Sequence, residues 1–489
     1  MNEKNTNTVS KGFFWKLLER FGVQGVQFVI QIVLARILDP AHYGVLSIMI
    51  IFTTLANVFI QNGFNTALIQ DKDTAEEDYS SVFWTSLGIA GVLYVAIFFS
   101  APLIGRFYDM PDIVTPLRVL ALMLFPGSLN SVQLAKVSRE MNFHKVFYSN
   151  IAGAVCSGVV GIAIAYAGGG LWALVAQTLL NVVITCIVMR FTVRLKLRLV
   201  YNLARVKTLF RFGWKLLASS LLDTLYQDLR SLVIGKKYDE STLGYYNRGK
   251  QFPQFIINAI NGAVQSVMLP AMSEKQDDKT QVKYMMRNSI TLSAYIIFPM
   301  MAGLAGIAAP LTSLLLTDKW LPCVPYMQIY CFTLSFYPVH SCNLQAINAM
   351  GRSDIFLKLE IIKKSMGIVF LVIAVFCFES PIAIAMTGVF TTVISCFINS
   401  YPNKKLIDYS YFDQMKDILP SLFMSLLMLA AVLMVGQLVL PTITILLLQI
   451  LVGMAVYLVM SAVFRVQPFM MILTMVKKHK KTNSGGEKR

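Results

Sequence analysis

The heptapeptide LDPAHYG at residues 38–44 follows the motif RFG at 20–22 and an apolar stretch of helical length. The same order returns in mid-chain, where RFG at 211–213 precedes a second such stretch and DESTLGY at 239–245. Each copy runs from a basic, glycine-marked helix start to a short polar turn and a glycine beside an aromatic residue. Internal repeats of this kind in membrane segments are typical of secondary transporters, whose similar halves rock about a central binding site.

The composition is that of a membrane protein. Hydrophobic residues make up 56% of the 489 residues, charged residues 14%, and the mean hydropathy is +0.61. Soluble domains carry about 25% charged residues. Fourteen apolar segments have the length that is needed to cross about 30 Å of hydrocarbon, and they are 13–37, 43–61, 82–105, 116–135, 147–167, 171–189, 212–235, 243–269, 288–308, 324–349, 356–378, 381–399, 418–440 and 442–464. We therefore predict an all-α polytopic membrane protein.

The basic residues predict its orientation. Fourteen crossings place both termini on one side, and the tails and loops of that side carry 28 of the 43 Lys and Arg, against 4 in the opposite loops. This bias predicts cytoplasmic termini in a bacterial plasma (inner) membrane. It also assigns most of the net charge of +17 to topology and to contact with anionic lipid, so no nucleic-acid partner is expected.

The longest basic connection divides the chain into two halves. We predict a cytoplasmic tail, an N-lobe, a basic amphipathic linker on the inner leaflet, a C-lobe, two further helices and a basic cytoplasmic tail, at residues 1–12, 13–190, 191–211, 212–400, 401–465 and 466–489. No Walker-type nucleotide motif, HExxH, GxSxG or metal-spaced His/Cys cluster is present, so we expect neither catalysis nor a cofactor or metal.

Polar side chains mark one face of the first predicted span. Arg20, Gln24, Gln27 and Gln31 fall within about 60° of one another on a helix. Charged and polar groups at membrane depth normally face a cavity or a partner. The stripe is either the wall of a cavity or a set of interhelical hydrogen bonds that hold the bundle together.

The seventh predicted span carries the charges Lys215, Asp223, Asp228 and Arg230. Asp223 and Arg230 share a face, whereas Asp228 points elsewhere. Two interpretations stay open: pairing with neighbouring helices, or a charged cavity surface in which Asp223 and Asp228 accept a coupling proton or Na⁺.

The eighth predicted span has the cleanest polar stripe. Arg248 and Lys250 begin it, and six amides then share one face over five turns, which favours a hydrated surface facing the substrate: Asn247, Gln251, Gln254, Asn258, Asn261 and Gln265. Amides bind sugar hydroxyls, while arginine and lysine bind phosphate. The last two predicted spans have no charge in their cores and could line a groove for a lipid tail.

Six stretches resemble the polysaccharide-transport branch of the multidrug/oligosaccharidyl-lipid/polysaccharide flippase superfamily, and more narrowly its Wzx-type and colanic-acid-exporter-like lipopolysaccharide biosynthesis proteins. They are LARILDPAHYGVLSI (34–48), ALIQDKDTAEEDYSSVFW (67–84), REMNF (139–143), RFGWKLLASSLLD (211–223), LGYYNRGKQFPQ (243–254) and LPAMSEKQDD (269–278). The resemblance implies two pseudo-symmetric six-helix lobes with two C-terminal helices.

The resemblance also implies flipping of an undecaprenyl-pyrophosphate-linked oligosaccharide by alternating access, with a polysaccharide polymerase and glycosyltransferases as partners. Pyrophosphate candidates are the basic residues Arg20, Lys215, Arg230, Arg248 and Lys250. Two other functions remain open. A drug/cation antiporter of the same fold favours a cavity dominated by carboxylates, and a membrane-embedded glycan polymerase or ligase needs a sizeable external loop.

Overall fold

A computed structural model describes residues 22–61, 64–71, 74–193, 195–471 and 474. In this part of the chain the regular structure is helical, without strands. The predicted residue Arg20 lies outside the described residues. The side chains of Asn261 and Gln265 do as well, although their backbone belongs to a described helix.

Eighteen α-helices follow one another in the described ranges. They are α1 (Gly22–Ile37), α2 (Pro40–Gln61), α3 (Phe64–Gln70), α4 (Glu76–Tyr108), α5 (Val114–Leu120), α6 (Leu124–Glu140), α7 (His144–Tyr166), α8 (Leu171–Thr192), α9 (Leu203–Lys237), α10 (Glu240–Glu274), α11 (Lys279–Gly306), α12 (Ala308–Leu316), α13 (Val324–Ser335), α14 (Tyr337–Ala349), α15 (Ser353–Cys377), α16 (Pro381–Ile407), α17 (Tyr411–Val435) and α18 (Thr442–Val463).

Nine segments of the described chain are long and apolar enough to cross a membrane, which agrees with the predicted all-α membrane protein. The five other predicted spans fall on α1, α9, α10, α15 and the pair α13–α14. The first four of these helices are short or carry many polar side chains, and the pair is interrupted at Phe336. Because these five do not meet the same criterion, the count of fourteen crossings stays a prediction.

Two predicted boundaries differ from the observed helices. The predicted fourth span, 116–135, is interrupted by a 3₁₀ turn at Ala121–Met123. The predicted seventh span begins at Phe212, whereas α9 begins nine residues earlier at Leu203, where the Asn202 side chain accepts a hydrogen bond from the Arg205 backbone N–H. This side-chain cap provides a helix start that hydropathy does not detect.

Contacts within the chain form two compact units, Met1–Asn247 and Arg248–Arg489. The division between them falls inside α10. The predicted lobes with a boundary at the linker 191–211 remain a prediction.

In the first unit, the connections between successive long helices lie alternately at two opposite ends of the unit. The end that carries residues 71, 74–75, 141–143, 193 and 195–202 is called the basic end here, and the end that carries 38–39, 109–110, 167–170 and 238–239 is called the repeat end. At the basic end, Arg139 Nη1 donates to the Asp71 carbonyl at 2.7 Å. At the repeat end, Gly170 lies beside the His42 ring. Successive long helices therefore run in opposite directions, as membrane crossings do.

The linker packs against protein at the basic end. Leu195, Val206 and Leu209 are buried in a cluster with side chains of α3, α4 and α6. Arg205 donates to Asp71 in the loop before α4 and to Asp78 in the first turn of α4, with Nη2 at 2.8 Å and 2.9 Å from their carboxylate oxygens. The apolar side of the linker thus covers these helices, and its predicted place on the inner leaflet stays a prediction.

In the second unit, α17 is joined to earlier helices by buried amides. Asn343 Nδ2 of α14 donates to Gln414 Oε1 at 2.7 Å, and Asn403 Nδ2 of α16 donates to Asn343 Oδ1 at 2.7 Å. All three side chains are fully buried. The helix α18 is attached through Tyr457, whose hydroxyl donates to the Tyr295 carbonyl at 2.8 Å.

Candidate functional site

The two repeat copies meet in the first unit at a glycine crossing. The helix α2 begins at Pro40 and α10 begins at Glu240, and glycine stands four residues later in each, at Gly44 and Gly244. A methyl group on Gly44 would overlap the Glu240 carbonyl oxygen, and one on Gly244 would overlap the Pro40 carbonyl oxygen. Equivalent positions 200 residues apart therefore face each other, and only glycine allows the backbones to approach so closely.

The turns before these helices are also equivalent. The Asp39 backbone N–H donates to His42 Nδ1 at 3.3 Å, and the Thr242 hydroxyl donates to Asp239 Oδ1. The repeat that the sequence shows is thus a structural repeat, and its two copies close against each other at the repeat end.

The amide stripe of α1 faces away from the most exposed side of that helix. Gln24, Gln27 and Gln31 are half-buried, whereas Val29, on the opposite face, is 60% exposed. An exposed valine on a membrane helix suits lipid. The half-buried glutamines therefore point into the bundle, as both interpretations of this stripe require.

The charged face of α9 is only partly enclosed. Asp223 and Arg230 are half-buried, and Asp223 Oδ2 accepts a hydrogen bond of 2.7 Å from Gln227 Nε2. Asp228 is also half-buried, and Lys215 is exposed. The observed pairing of Asp223 with an amide on its own helix was not predicted.

In α10, the exposed face is polar and the buried face is apolar. Gln251 and Asn258 are exposed, while Phe252 and Ile257 are 7% and 1% exposed. Gln254 is half-buried and its Nε2 donates to Asn258 Oδ1 at 2.8 Å. Exposed amides at membrane depth are unfavourable against lipid, and the hydrated surface predicted for this face stays a prediction.

Arg248 is packed inside the second unit. Its side chain is buried, its Nη1 donates to Gln251 Oε1 at 2.6 Å, and its guanidinium carbon lies 5.1 Å from the Trp320 ring centroid. This arrangement orients Gln251 toward the amide face and stabilises the cation on an aromatic ring. Lys250 is half-buried.

The structure brings predicted residues together in two pairs on α10, Arg248 with Gln251 and Gln254 with Asn258. Missed by sequence reasoning were Ser231 of α9, whose hydroxyl donates to Asn247 Oδ1 at 3.0 Å, and Trp320. Neither carries a periodic signal, because each belongs to a different element from its partner. No cluster of His, Cys, Asp or Glu that could hold a metal occurs among the residues that the structure describes.

Comparison with known proteins decides the family. A profile described as "Polysaccharide biosynthesis protein" matches residues 33–325. The chain belongs to this family. Within the polysaccharide biosynthesis family, it is 23% identical over 351 residues to the succinoglycan biosynthesis transport protein ExoT of Rhizobium meliloti (strain 1021), covering 72% of this chain and 71% of the relative. It is 24% identical over 362 residues to the lipopolysaccharide biosynthesis protein WzxC of Escherichia coli (strain K12), with 72% of each chain covered.

A solved structure shows the fold. The lipid II flippase MurJ, in an inward closed conformation, superposes with a TM-score of 0.72 at 15% sequence identity, covering 92% of this chain and 98% of that one. The resemblance inferred from the sequence motifs is confirmed by the family match, and the predicted fold class is confirmed by this likeness.

Proposed function

We propose that this member of the polysaccharide biosynthesis family is a flippase. Its substrate is an undecaprenyl-pyrophosphate-linked oligosaccharide repeat unit, carried across the plasma membrane for surface polysaccharide synthesis. The observation that carries the proposal is the exposed amide face of α10, where Gln251 and Asn258 offer hydrogen bonds to sugar hydroxyls from a helix whose apolar side is buried. Transport relatives in succinoglycan synthesis support the substrate class.

The glycine crossing supplies a closure for alternating access. While Gly44 and Gly244 are in contact, the two helix backbones would narrow the substrate's path at the repeat end. Release there requires α2 and α10 to separate, and the alternate state requires them to close again. Both movements are rigid-body motions of helices, which is how repeat-based transporters change access.

The charged residues would hold the head of the substrate. Arg20, Lys215, Arg230, Arg248 and Lys250 are the pyrophosphate candidates, and of the described ones Lys215 is the most open to a ligand. Arg248 is packed against Trp320. It would therefore contribute to substrate binding by orienting Gln251, to which it donates a hydrogen bond. The polyprenyl chain would stay in the bilayer and lie against the exposed apolar faces of α17 and α18.

Energy for net movement would come from an ion gradient or from removal of the product. Asp223 and Asp228 are the coupling candidates, because a half-buried carboxylate on a polar helix face can exchange a proton or Na⁺ with a hydrated space. By the positive-inside bias, the basic end and both termini are cytoplasmic. A polymerase and glycosyltransferases would act before and after the flipping step.

A drug/cation antiporter is the second candidate. Carboxylates that dominate the cavity would favour it, yet the described polar face of α10 consists of amides and begins with Arg248 and Lys250. A glycan polymerase would act after the substrate has crossed, so the side on which intermediates accumulate separates it from a flippase.

The test is the fate of lipid-linked repeat units in a strain that depends on this protein. Deletion should cause complete units to accumulate on the cytoplasmic face and abolish surface polysaccharide, and the wild-type gene should restore both. Complete units that reach the outer face unpolymerised would contradict the proposal.

A glycine pair refines this test. Gly44→Leu should fail to restore export, because its side chain cannot fit against the Glu240 carbonyl while α2 and α10 are closed. Gly25→Leu is the matched control, since a side chain added there meets nothing within 4 Å. If both variants restored export equally, the close contact at the glycine crossing would not be needed for transport.

A further inference from the structure

An apolar groove runs along α4 at the basic end of the first unit. Its floor is formed by residues of α4 from Trp84 to Leu93 and its upper wall by Tyr201 of the linker, and its volume is about 480 Å³. Ligand pockets usually measure about 300–1,000 Å³. The groove does not overlap the polar faces of α1, α9 or α10 that the proposed transport function uses.

The upper wall of the groove is fixed by hydrogen bonds to α4. Trp84 Nε1 donates to the Arg198 carbonyl at 3.1 Å, and the Arg198 backbone N–H donates to Ser80 Oγ at 3.1 Å. The Asn202 backbone N–H donates to Ser81 Oγ at 3.0 Å. The serines and the indole on α4 thus hold the linker, so the groove is part of the built structure.

The two ends of the groove differ in chemistry. The α4 surface is apolar and open at Val92 within the groove and at Phe99 beyond it, which are 70% and 72% exposed and suit contact with hydrocarbon chains. At the linker, Arg198, whose carbonyl accepts a hydrogen bond from Trp84 of the groove, has an exposed side chain, and Lys196 two residues earlier is exposed as well. An apolar groove that ends at exposed cations matches an amphiphile with a hydrocarbon chain and an anionic head.

We propose that this groove binds an anionic glycerophospholipid of the leaflet at the basic end. One acyl chain lies in the groove along α4, and the phosphate is held by Arg198 with Lys196 beside it. The lipid would brace the linker against α4 at the point where the linker joins the long helix α9.

Gly88 gives a clean way to fill the groove. It lines the groove, is exposed, and a side chain added to it meets nothing within 4 Å, so Gly88→Leu occupies the acyl position without a clash. Gly91→Leu is the matched control, because that glycine lies about one turn further on α4, does not line the groove, and a side chain added to it also meets nothing within 4 Å.

The experiment uses the purified full-length protein in vesicles that contain phosphatidylglycerol with a photoreactive group in its acyl chain. Mass spectrometry of peptides should place the crosslink between residues 84 and 93. Gly88→Leu should abolish it and Gly91→Leu should keep it. Arg198→Gln should lower it about fivefold, the size expected for one basic side chain near an anionic head, while Lys404→Gln, an exposed lysine on α16, should leave it unchanged.

Three outcomes would overturn the proposal. Equal crosslinking by a phosphatidylcholine probe would mean non-specific contact with surrounding lipid. Displacement of the probe by undecaprenyl phosphate at equal concentration would assign the groove to the substrate chain. Unchanged crosslinking in both Gly88→Leu and Arg198→Gln, two variants at different ends of the groove, would exclude the site.

Discussion

The part of α10 from Arg248 onward belongs to the same unit as α17, and the two helices arrange their polar residues in opposite ways. In α17, Phe423 and Leu426 are 54% and 53% exposed, while Gln414 and Ser421 are buried. In α10, amides are exposed and large apolar side chains are buried. From these exposed faces we infer that α17 faces lipid, and we propose that α10 faces water.

This contrast also separates two uses of polar residues in a membrane. The buried amide on α17, Gln414, has hydrogen bonds to Asn343 of α14, so it holds helices together. On α10, Gln251 accepts from Arg248 and Asn258 accepts from Gln254 of the same helix, and an exposed side-chain amide can form further hydrogen bonds with a ligand.

The largest expected effect comes from a charge placed on each exposed face. Leu426→Arg puts a cation against lipid and should cost about 2.5–3.5 kcal/mol of insertion free energy, so the protein should be depleted from the membrane. Asn258→Arg should accumulate like wild type, because its face is hydrated. Membrane-fraction yield of the two variants measures this difference, and equal depletion would break the comparison.

The next effect concerns transport. Gln251→Leu combined with Asn258→Leu gives α10 a lipid-like face and removes two hydrogen-bonding side chains, each worth about 0.5–1.5 kcal/mol. Export of lipid-linked oligosaccharide should fall about tenfold, with normal membrane yield. Gln437→Leu, the same substitution at an exposed position just after α17, should export normally. A loss of export in the control as well would mean that leucine at any exposed glutamine is harmful.

A smaller effect is expected from the buried amides. Gln414→Leu leaves Asn343 without one of its partners in a dry site, which should lower the free energy of unfolding by about 1–3 kcal/mol. Thermal unfolding of the purified protein would show the loss, and export per folded molecule should be unchanged. If export fell while unfolding stayed normal, the amides on α17 would have a role in transport.

The sequence predicts much of this contrast, for a physical reason. Hydropathy and helical periodicity reveal which helices carry polar stripes, and the predicted spans on α9 and α10, where two of those stripes lie, do not meet the length and hydropathy criterion for a crossing. The spacing of LDPAHYG and DESTLGY likewise predicts equivalent helix starts, which the glycine crossing confirms.

Exposure and distant partners could not be predicted in the same way. A stripe of amides has the same pattern whether it binds a neighbouring helix or water, so Gln251 and Gln414 are alike in sequence and opposite in burial. Arg248 was predicted to hold pyrophosphate, and its contact with Trp320 depends on a segment seventy residues later that no local pattern connects to it. The packing of the linker could not be predicted for the same reason, because the ion-pair partners of Arg205 are Asp71 and Asp78, more than a hundred residues earlier in the chain.

Water accessibility of the two faces tests the account most directly. In a variant with its seven cysteines replaced, single cysteines at Asn258 and Leu426 would be treated in intact membranes with a charged, membrane-impermeant maleimide added to both sides. The account predicts rapid labelling of Asn258→Cys and almost none of Leu426→Cys, because thiolate forms in water and not in lipid. Labelling of Leu426→Cys as fast as Asn258→Cys, or protection of both, would contradict a hydrated face on α10.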